Sequence, residues 1–101
     1  MSITTKVSET DNELIINIEG RFDFSAHQEF RKAYEDVEIV PDSYLVDMHD
    51  TTYLDSSALG MLLLLRDHAG GDQAAIKIVN CNDSVRKILT ISNFGQLFTI
   101  Q

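Results

Sequence analysis

Two adjacent serines follow an aspartate at the start of the most apolar stretch of this 101-residue chain. Asp55, Ser56 and Ser57 stand just before the apolar run 61–65. A serine hydroxyl can act as a nucleophile, as a helix cap or as the acceptor of a phosphoryl group, and each role needs different surroundings. The residues and elements around the pair therefore have to decide between these roles.

Hydrolysis by either serine would require a histidine within hydrogen-bond reach and an oxyanion hole. The G-x-S-x-G turn that presents many nucleophilic serines is absent, because Leu-Asp precedes the pair. His68 follows Ser57 by about three helical turns, roughly 16 Å along a helix axis, so only His49 could approach. A serine hydrolase stays an alternative that this pattern disfavours, and we expect no catalytic residue.

Residues that could bind a metal or a cofactor lack the necessary spacing. Asp47, His49 and Asp50 are close together in the sequence, but they match no zinc-ligand spacing. The glycines at 70–71 end a predicted helix, whereas a phosphate-binding glycine loop would begin one. We therefore expect neither a metal nor a cofactor.

The charge of the chain restricts the partners that it could bind. A formal net charge of −8 argues against nucleic acid, which needs a basic surface, and against an anionic membrane surface. The same charge favours a protein partner with a basic patch. Hydrophobic residues make up 44% of the chain, which is enough for one compact domain spanning residues 1–101.

The sequence predicts a cytoplasmic protein without direct membrane insertion. The apolar run 61–65 is far too short to span a bilayer, and the polar start MSITTKVSETDN does not resemble a signal peptide. Cys81 is the single cysteine, so no intrachain disulfide can form.

The hydrophobic pattern predicts the element order β-β-α-β-α-β-α-β. Strands are expected at residues 4–7, 13–19, 44–48, 75–79 and 96–100, and helices near 25–37 and 56–69, with a third helix that begins near residues 82–83. Strands that alternate with helices indicate an α/β domain with a mixed, mostly parallel sheet of about five strands and helices packed on it.

The helices are predicted from their caps and their apolar faces. Ser25 with Gln28 has the spacing of a capping box, and Asn82 or Asp83 can cap the third helix. The predicted faces are Phe30, Ala33, Tyr34 and Val37 in the first helix, and Val85, Ile88 and Leu89 in the third. Residues 20–23 are expected to leave the second strand, and residues 49–54 are expected to form a loop.

Sites in parallel sheets gather at the carboxyl ends of strands, which predicts that Asp23 and the loop 49–57 are neighbours. Asp23 has two open interpretations, as the residue that starts the helix near Ser25 or as part of a binding surface. Gly60 also has two, because a glycine inside a helix permits either close packing on the sheet or close approach of a partner.

The residues around the serine pair resemble the STAS domain, the fold shared by anti-sigma factor antagonists and the cytoplasmic tails of sulphate transporters. The resemblance rests on Asp47 at a strand end and on Tyr53-Leu54, Asp55-Ser56-Ser57, Ala58, Leu59-Gly60 and the run 61–65. Gly20-Arg21-Phe22-Asp23 is similar to a second motif of the family. The chain departs from the family at Ala58, where glycine is commoner, and in ending near the last strand, where many relatives have a further helix.

This resemblance implies an anti-sigma factor antagonist in which Ser57 is phosphorylated. The implied partners are an anti-sigma factor that is also a serine kinase, and a serine phosphatase that reverses the modification. The implied partner-binding residues are Asp23, Asp55, Ser56, Ser57, Ala58 and Gly60. The alternative is a STAS scaffold or regulatory subunit of a membrane transport complex, in which the serine is not modified.

The residues themselves offer a physical reason for such a switch. We expect Ser56 to cap the helix and Ser57, one position on, to face solvent and a kinase. A phosphate adds about −1.5 to −2 charge, which the amino end of a helix tolerates. The same charge, next to Asp55 and Asp23, would disfavour a flat protein interface.

Overall fold

The computed structural model describes residues 2–101 and contains a mixed sheet flanked by three helices. The strands are β1 (Ser2–Ser8), β2 (Glu13–Phe22), β3 (Ser43–Asp47), β4 (Thr51–Leu54), β5 (Ile76–Val79) and β6 (Thr99–Ile100). The helices are α1 (His27–Glu35), α2 (Ser56–His68) and α3 (Asp83–Ile91). Short 3-10 turns at Phe24–Ala26, Gly71–Gln73 and Phe94–Gln96 join them.

The sheet has the strand order β1-β2-β3-β5-β6, with β1 antiparallel to β2 and the other neighbours parallel. Leu14, Ile16 and Ile18 of β2 are fully buried, whereas Ile15 and Asn17 between them are only half-buried. Since the buried set belongs to one core cluster with the apolar faces of all three helices, that cluster lies between helices and sheet. This arrangement confirms the predicted α/β class.

The carboxyl-terminal part of β2 differs from the prediction that residues 20–23 leave the strand. Gly20 has φ +86°, and the register shifts between Gly20 and Arg21, so a bulge bends β2 without ending it. Beyond the bulge, Arg21 and Phe22 pair in parallel with Tyr53 and Leu54 of β4. The prediction of a loop over residues 49–54 is therefore wrong for its second part, and the sheet has six strands.

The start of α1 also differs from the prediction. Asp23 accepts a hydrogen bond from the Ser25 amide and caps a 3-10 turn, and α1 begins only at His27, without a side-chain cap. The capping box of Ser25 and Gln28 is thus not formed. Of the predicted apolar face, Phe30 and Tyr34 are buried and Ala33 is half-buried, whereas Val37 lies beyond Glu35, where the helix ends.

Candidate functional site

The serine pair occupies the first turn of α2. Asp55 has extended backbone angles and caps the helix, with its Oδ1 accepting a hydrogen bond from the Ala58 amide at 3.0 Å. Ser56 and Ser57 are therefore the first two helical residues, and the prediction that Ser56 is the cap is wrong. Both serines lie in the first turn of α2, but Ser56 is exposed and Ser57 is half-buried, so the expectation that Ser57 is the one that faces solvent is not met.

Asp23 lies at the end of the neighbouring strand. Its carboxylate accepts hydrogen bonds from the hydroxyl and from the amide of Ser25, the latter at 3.0 Å. The hydroxyl bond is the main reason why the pKa of Asp23 is lowered from its usual value. Of the two interpretations of this residue, its role in starting the helical segment is confirmed, and its side chain still faces the surface.

The pairing of β2 with β4 places Asp23 and Asp55 at the ends of adjacent strands. Phe22 is opposite Leu54, so Asp23 and Asp55 each follow the last paired residue of adjacent strands. The predicted proximity of Asp23 to the segment that carries the serines is thereby confirmed. The backbones of Asp23 and Asp55 are therefore adjacent near the amino end of α2, and the Asp23 carboxylate is 3.8 Å from the Nε of Arg21, so the charge at this edge is not acidic alone.

Two other residues of the predicted site have contrasting environments. Ala58 is fully buried, so its methyl group contributes to the core and does not reach a partner. Gly60 is half-buried, and a Cβ added to it would meet no described heavy atom within 4 Å outside its own helix backbone. Packing of α2 on the sheet therefore does not account for the glycine.

Sequence reasoning missed three exposed side chains at this end of the sheet. Phe24 is 70% exposed directly after Asp23. The Arg21 guanidinium lies 4.3 Å from the ring centroid of Tyr53, a residue of β4 that is itself 39% exposed. The sequence contained one signal for them: Phe24 and Tyr53 are aromatic residues near strand ends that do not fit the alternating pattern of buried residues. Aromatic residues in such exposed positions are enriched at protein interfaces.

Sequence reasoning also missed the side chain that fixes the start of β4. Thr51 is buried, and its hydroxyl donates to the Ile18 carbonyl at 2.7 Å. The Asn82 amide donates to the Thr51 carbonyl at 3.0 Å, and Asn82 also caps α3 through the Val85 amide. These bonds hold β4, and hence the start of α2, against the rest of the domain.

His68 and Asp47 have local partners. His68 lies at the far end of α2, where its ring centroid is 4.9 Å from that of Tyr34. Asp47 accepts hydrogen bonds from the His49 amide and from the Asn80 side chain. Within residues 2–101, no group of three or more His, Cys, Asp or Glu side chains is placed to hold a metal ion.

Comparison with known proteins places these observations in a wider context. The family model described as "Mlab, STAS domain" matches residues 5–99. A STAS-domain containing protein of Pseudomonas aeruginosa (strain UCBPP-PA14) is 64% identical over 100 residues, covering 99% of each chain.

Several solved structures share the fold. A putative anti-sigma factor antagonist from Thermotoga maritima has a TM-score of 0.82 at 17% identity, over 97% of this chain and 84% of that one. The Bacillus cell fate determinant SpoIIAA in its phosphorylated form has a TM-score of 0.68 at 18% identity, over 99% and 91%. A sulfate transporter family protein from Wolinella succinogenes has a TM-score of 0.75 at 14% identity, over 92% and 79%.

Among the helices that residues 2–101 form, none is long and apolar enough to cross a membrane.

Proposed function

We propose that this chain, which belongs to the STAS domain family, is an anti-sigma factor antagonist whose binding is switched by phosphorylation of Ser57. In the unphosphorylated state it sequesters an anti-sigma factor that is also a serine kinase, and so frees a sigma factor. A serine phosphatase restores that state. The protein acts in the cytoplasm as a binding protein and performs no catalysis itself.

The observation that carries the proposal is the position of the serine pair. Both hydroxyls lie in the first turn of α2, where backbone amides have no partner within the helix and the helix dipole favours negative charge. A phosphate there can be accommodated by the fold. The modification can therefore change the surface and leave the domain intact.

The surroundings of Ser57 explain why a phosphate would weaken binding. Asp23 and Asp55 already place two carboxylates beside the pair. A kinase partner also brings the phosphates of its nucleotide to the serine. The added charge of about −1.5 to −2 would repel both sets of negative groups and would need solvation that a closed interface denies.

Ser56 is the competing candidate for the phosphorylation site that we assign to Ser57. Ser57 matches the second serine of the motif, which is the modified one in the family that the sequence resembles. Ser56 is the more exposed of the two. Since both side chains are at the helix start, exposure alone does not decide between them, and the experiment must resolve single residues.

Phosphopeptide mapping tests the proposal. The protein is incubated with ATP and with each candidate anti-sigma kinase from its own cell, and intact mass and fragment masses are measured. We expect one added phosphate, on Ser57, which Ser57→Ala removes and Ser56→Ala keeps. A phosphate on Ser56 alone would overturn the residue assignment, and no phosphate with any candidate kinase would count against the switch.

A second candidate function is a STAS scaffold or regulatory subunit of a membrane transport complex. The structural match to the sulfate transporter family protein from Wolinella succinogenes favours it. This function requires a stable partner but no modification. Purification of the complex from native cells would distinguish the two candidate functions. The scaffold function predicts that transporter subunits are recovered together with an unmodified chain.

A further inference from the structure

The outward face of α2 is apolar although it faces solvent. Met61, Leu62 and Leu65 point into the core, yet Leu63 and Leu64, which lie outside this buried set, are 41% and 54% exposed. A surface helix normally carries polar residues on its outer face, and a helix that is apolar all round is typically buried on all sides. The described residues leave 54% of Leu64 uncovered, so a group outside the described chain is the natural cover for the remainder.

A groove lies beside this face, between α1 and α2. We define the α1–α2 groove by the residues that line it, namely His27, Phe30, Arg31, Tyr34 and Glu35 of α1 and Met61, Leu64, Asp67 and His68 of α2. Its volume is about 320 Å³. Phe30 and Tyr34, both buried, belong to its apolar base, and Leu64 stands at its open side.

The groove continues the candidate switch surface. Ser57, Met61, Leu64 and His68 follow one another at helical spacing along a single face of α2. At the other wall, the exposed Phe24 ring stacks on the ring of His27 with centroids 5.6 Å apart. One end of the groove, at the amino end of α2, is thus next to the serine pair. The other end is at His68, near the carboxyl end of α2.

Charge indicates what the groove can hold. Arg31 is engaged by Glu35, with Nε 2.9 Å from Oε2, and Arg66 is engaged by Asp72, with Nη2 2.7 Å from Oδ1. Asp67 is exposed, and no salt bridge to it is found among the described residues. An occupant with a cationic group would therefore find an available carboxylate at the His68 end of a groove whose base is apolar and whose walls also carry His27, Arg31 and Glu35.

We propose that the α1–α2 groove binds one amphipathic helix of a protein partner, with apolar side chains packed on Leu64 and a lysine or arginine facing Asp67. The distance from Ser57 to His68 is about 16 Å along the α2 axis, so about three turns of partner helix fit. Gly60, which lies one turn before Leu64 and has open space above it, permits a close approach of the partner's backbone. The assignment of this helix to the anti-sigma partner rests on the proposed function.

The groove can be tested with the unmodified full chain and a 14-residue amphipathic leucine–lysine peptide, followed by amide chemical shifts in nuclear magnetic resonance spectra. We expect shifts concentrated along the α1–α2 groove. Leu64→Asn should weaken binding at least about fivefold, a change large enough to resolve in a titration. The matched control Ile91→Asn changes an aliphatic side chain that is 70% exposed on α3 and should bind as the parent does.

Charge reversal separates specific binding from general attraction to an acidic protein. Asp67→Lys and the control Glu19→Lys change the net charge equally, but only Asp67→Lys should weaken the peptide severalfold. Shifts scattered over the acidic surface, or equal effects of the two reversals, would overturn the proposal. Because the peptide has no kinase activity, this result is independent of whether Ser57 is ever phosphorylated.

Discussion

Two carboxylates of the same residue type have different tasks beside the serine pair. Asp55 caps α2, and Asp23 holds the turn that precedes α1 through both polar groups of Ser25. Each aspartate is therefore part of the backbone frame as well as of the charge at the site. Substitutions at either position have to distinguish the two contributions.

The hydroxyl of Ser25 should control the titration of Asp23. Because its hydrogen bond lowers the pKa of Asp23, the stabilisation is present above the ordinary pKa of about 3.9 and is lost as pH falls through the lower folded-state value. Ser25→Ala should raise the pKa of Asp23, and Ser25→Thr, which keeps a hydroxyl, should change it less. A carboxyl titration by nuclear magnetic resonance measures this, and an unchanged pKa in Ser25→Ala would contradict the assignment.

A negative charge at Ser57 should leave the fold intact. Ser57→Asp places a carboxylate in the first turn of α2, where acidic groups stabilise a helix by about 0.3–1 kcal/mol and offset the partial burial of the side chain. Circular dichroism and thermal unfolding should match those of the parent. A loss of more than about 2 kcal/mol, well beyond a usual surface substitution, would mean that Ser57 is too enclosed to carry a phosphate.

Residue types in the sequence could indicate this candidate site but not its local geometry. Asp55 and Ser56 are both good helix caps, so propensity alone could not decide which of them begins α2. The same holds for Asp23 at the turn before α1. The choice is made by β4, which extends to Leu54 and leaves Asp55 with extended backbone angles. That constraint comes from the pairing of Gly20–Phe22 with Thr51–Leu54, whose paired residues are 31 to 32 positions apart in the sequence.

At the level of elements, the cap of α2 can be separated from the charge that it carries. Asp55→Ala removes the bond to the Ala58 amide and should lower the free energy of unfolding by about 1 kcal/mol. Asp55→Asn keeps an acceptor of equal capping strength and should cost much less. Urea unfolding compares the two, and equal losses would show that charge, and not the cap bond, stabilises the helix.

Gly60 should be a position where stability and binding respond in opposite directions. Gly60→Ala fits the open space around the residue and should raise the free energy of unfolding by about 0.5–1 kcal/mol. The added methyl group should weaken binding to a partner that approaches α2 closely. Gly95→Ala, at another open glycine, is the matched control for binding, and equal affinity of both variants would remove Gly60 from the interface.

The elements themselves were predictable to different degrees. Helices α1 and α3 were predictable because their apolar residues recur at helical spacing, and α2 because an apolar run follows cap residues and precedes Gly70, whose φ of +116° ends the segment as expected. Strand β4 was not, since Thr51–Leu54 has only four residues and gains its partner from a bulge at Gly20. A sequence pattern this short does not reveal a pairing that depends on the twist of a distant strand.

For the whole molecule, charge and topology act together. A chain with net charge −8 should associate faster and more tightly with a basic partner at low ionic strength, because exposed charges are screened as salt rises. The serine pair and the α1–α2 groove lie on continuous elements of one domain. One modification can therefore affect a binding surface without any change of fold.

The most direct test of this account is the affinity of the anti-sigma kinase for three forms of the protein, measured by isothermal titration at moderate salt. Ser57→Ala should bind as the unmodified protein does. Ser57→Asp should bind at least about tenfold more weakly, a loss of about 1.4 kcal/mol, and its single charge should understate the effect of a phosphate. Equal affinity of Ser57→Ala and Ser57→Asp would contradict the switch and favour the transport-scaffold alternative.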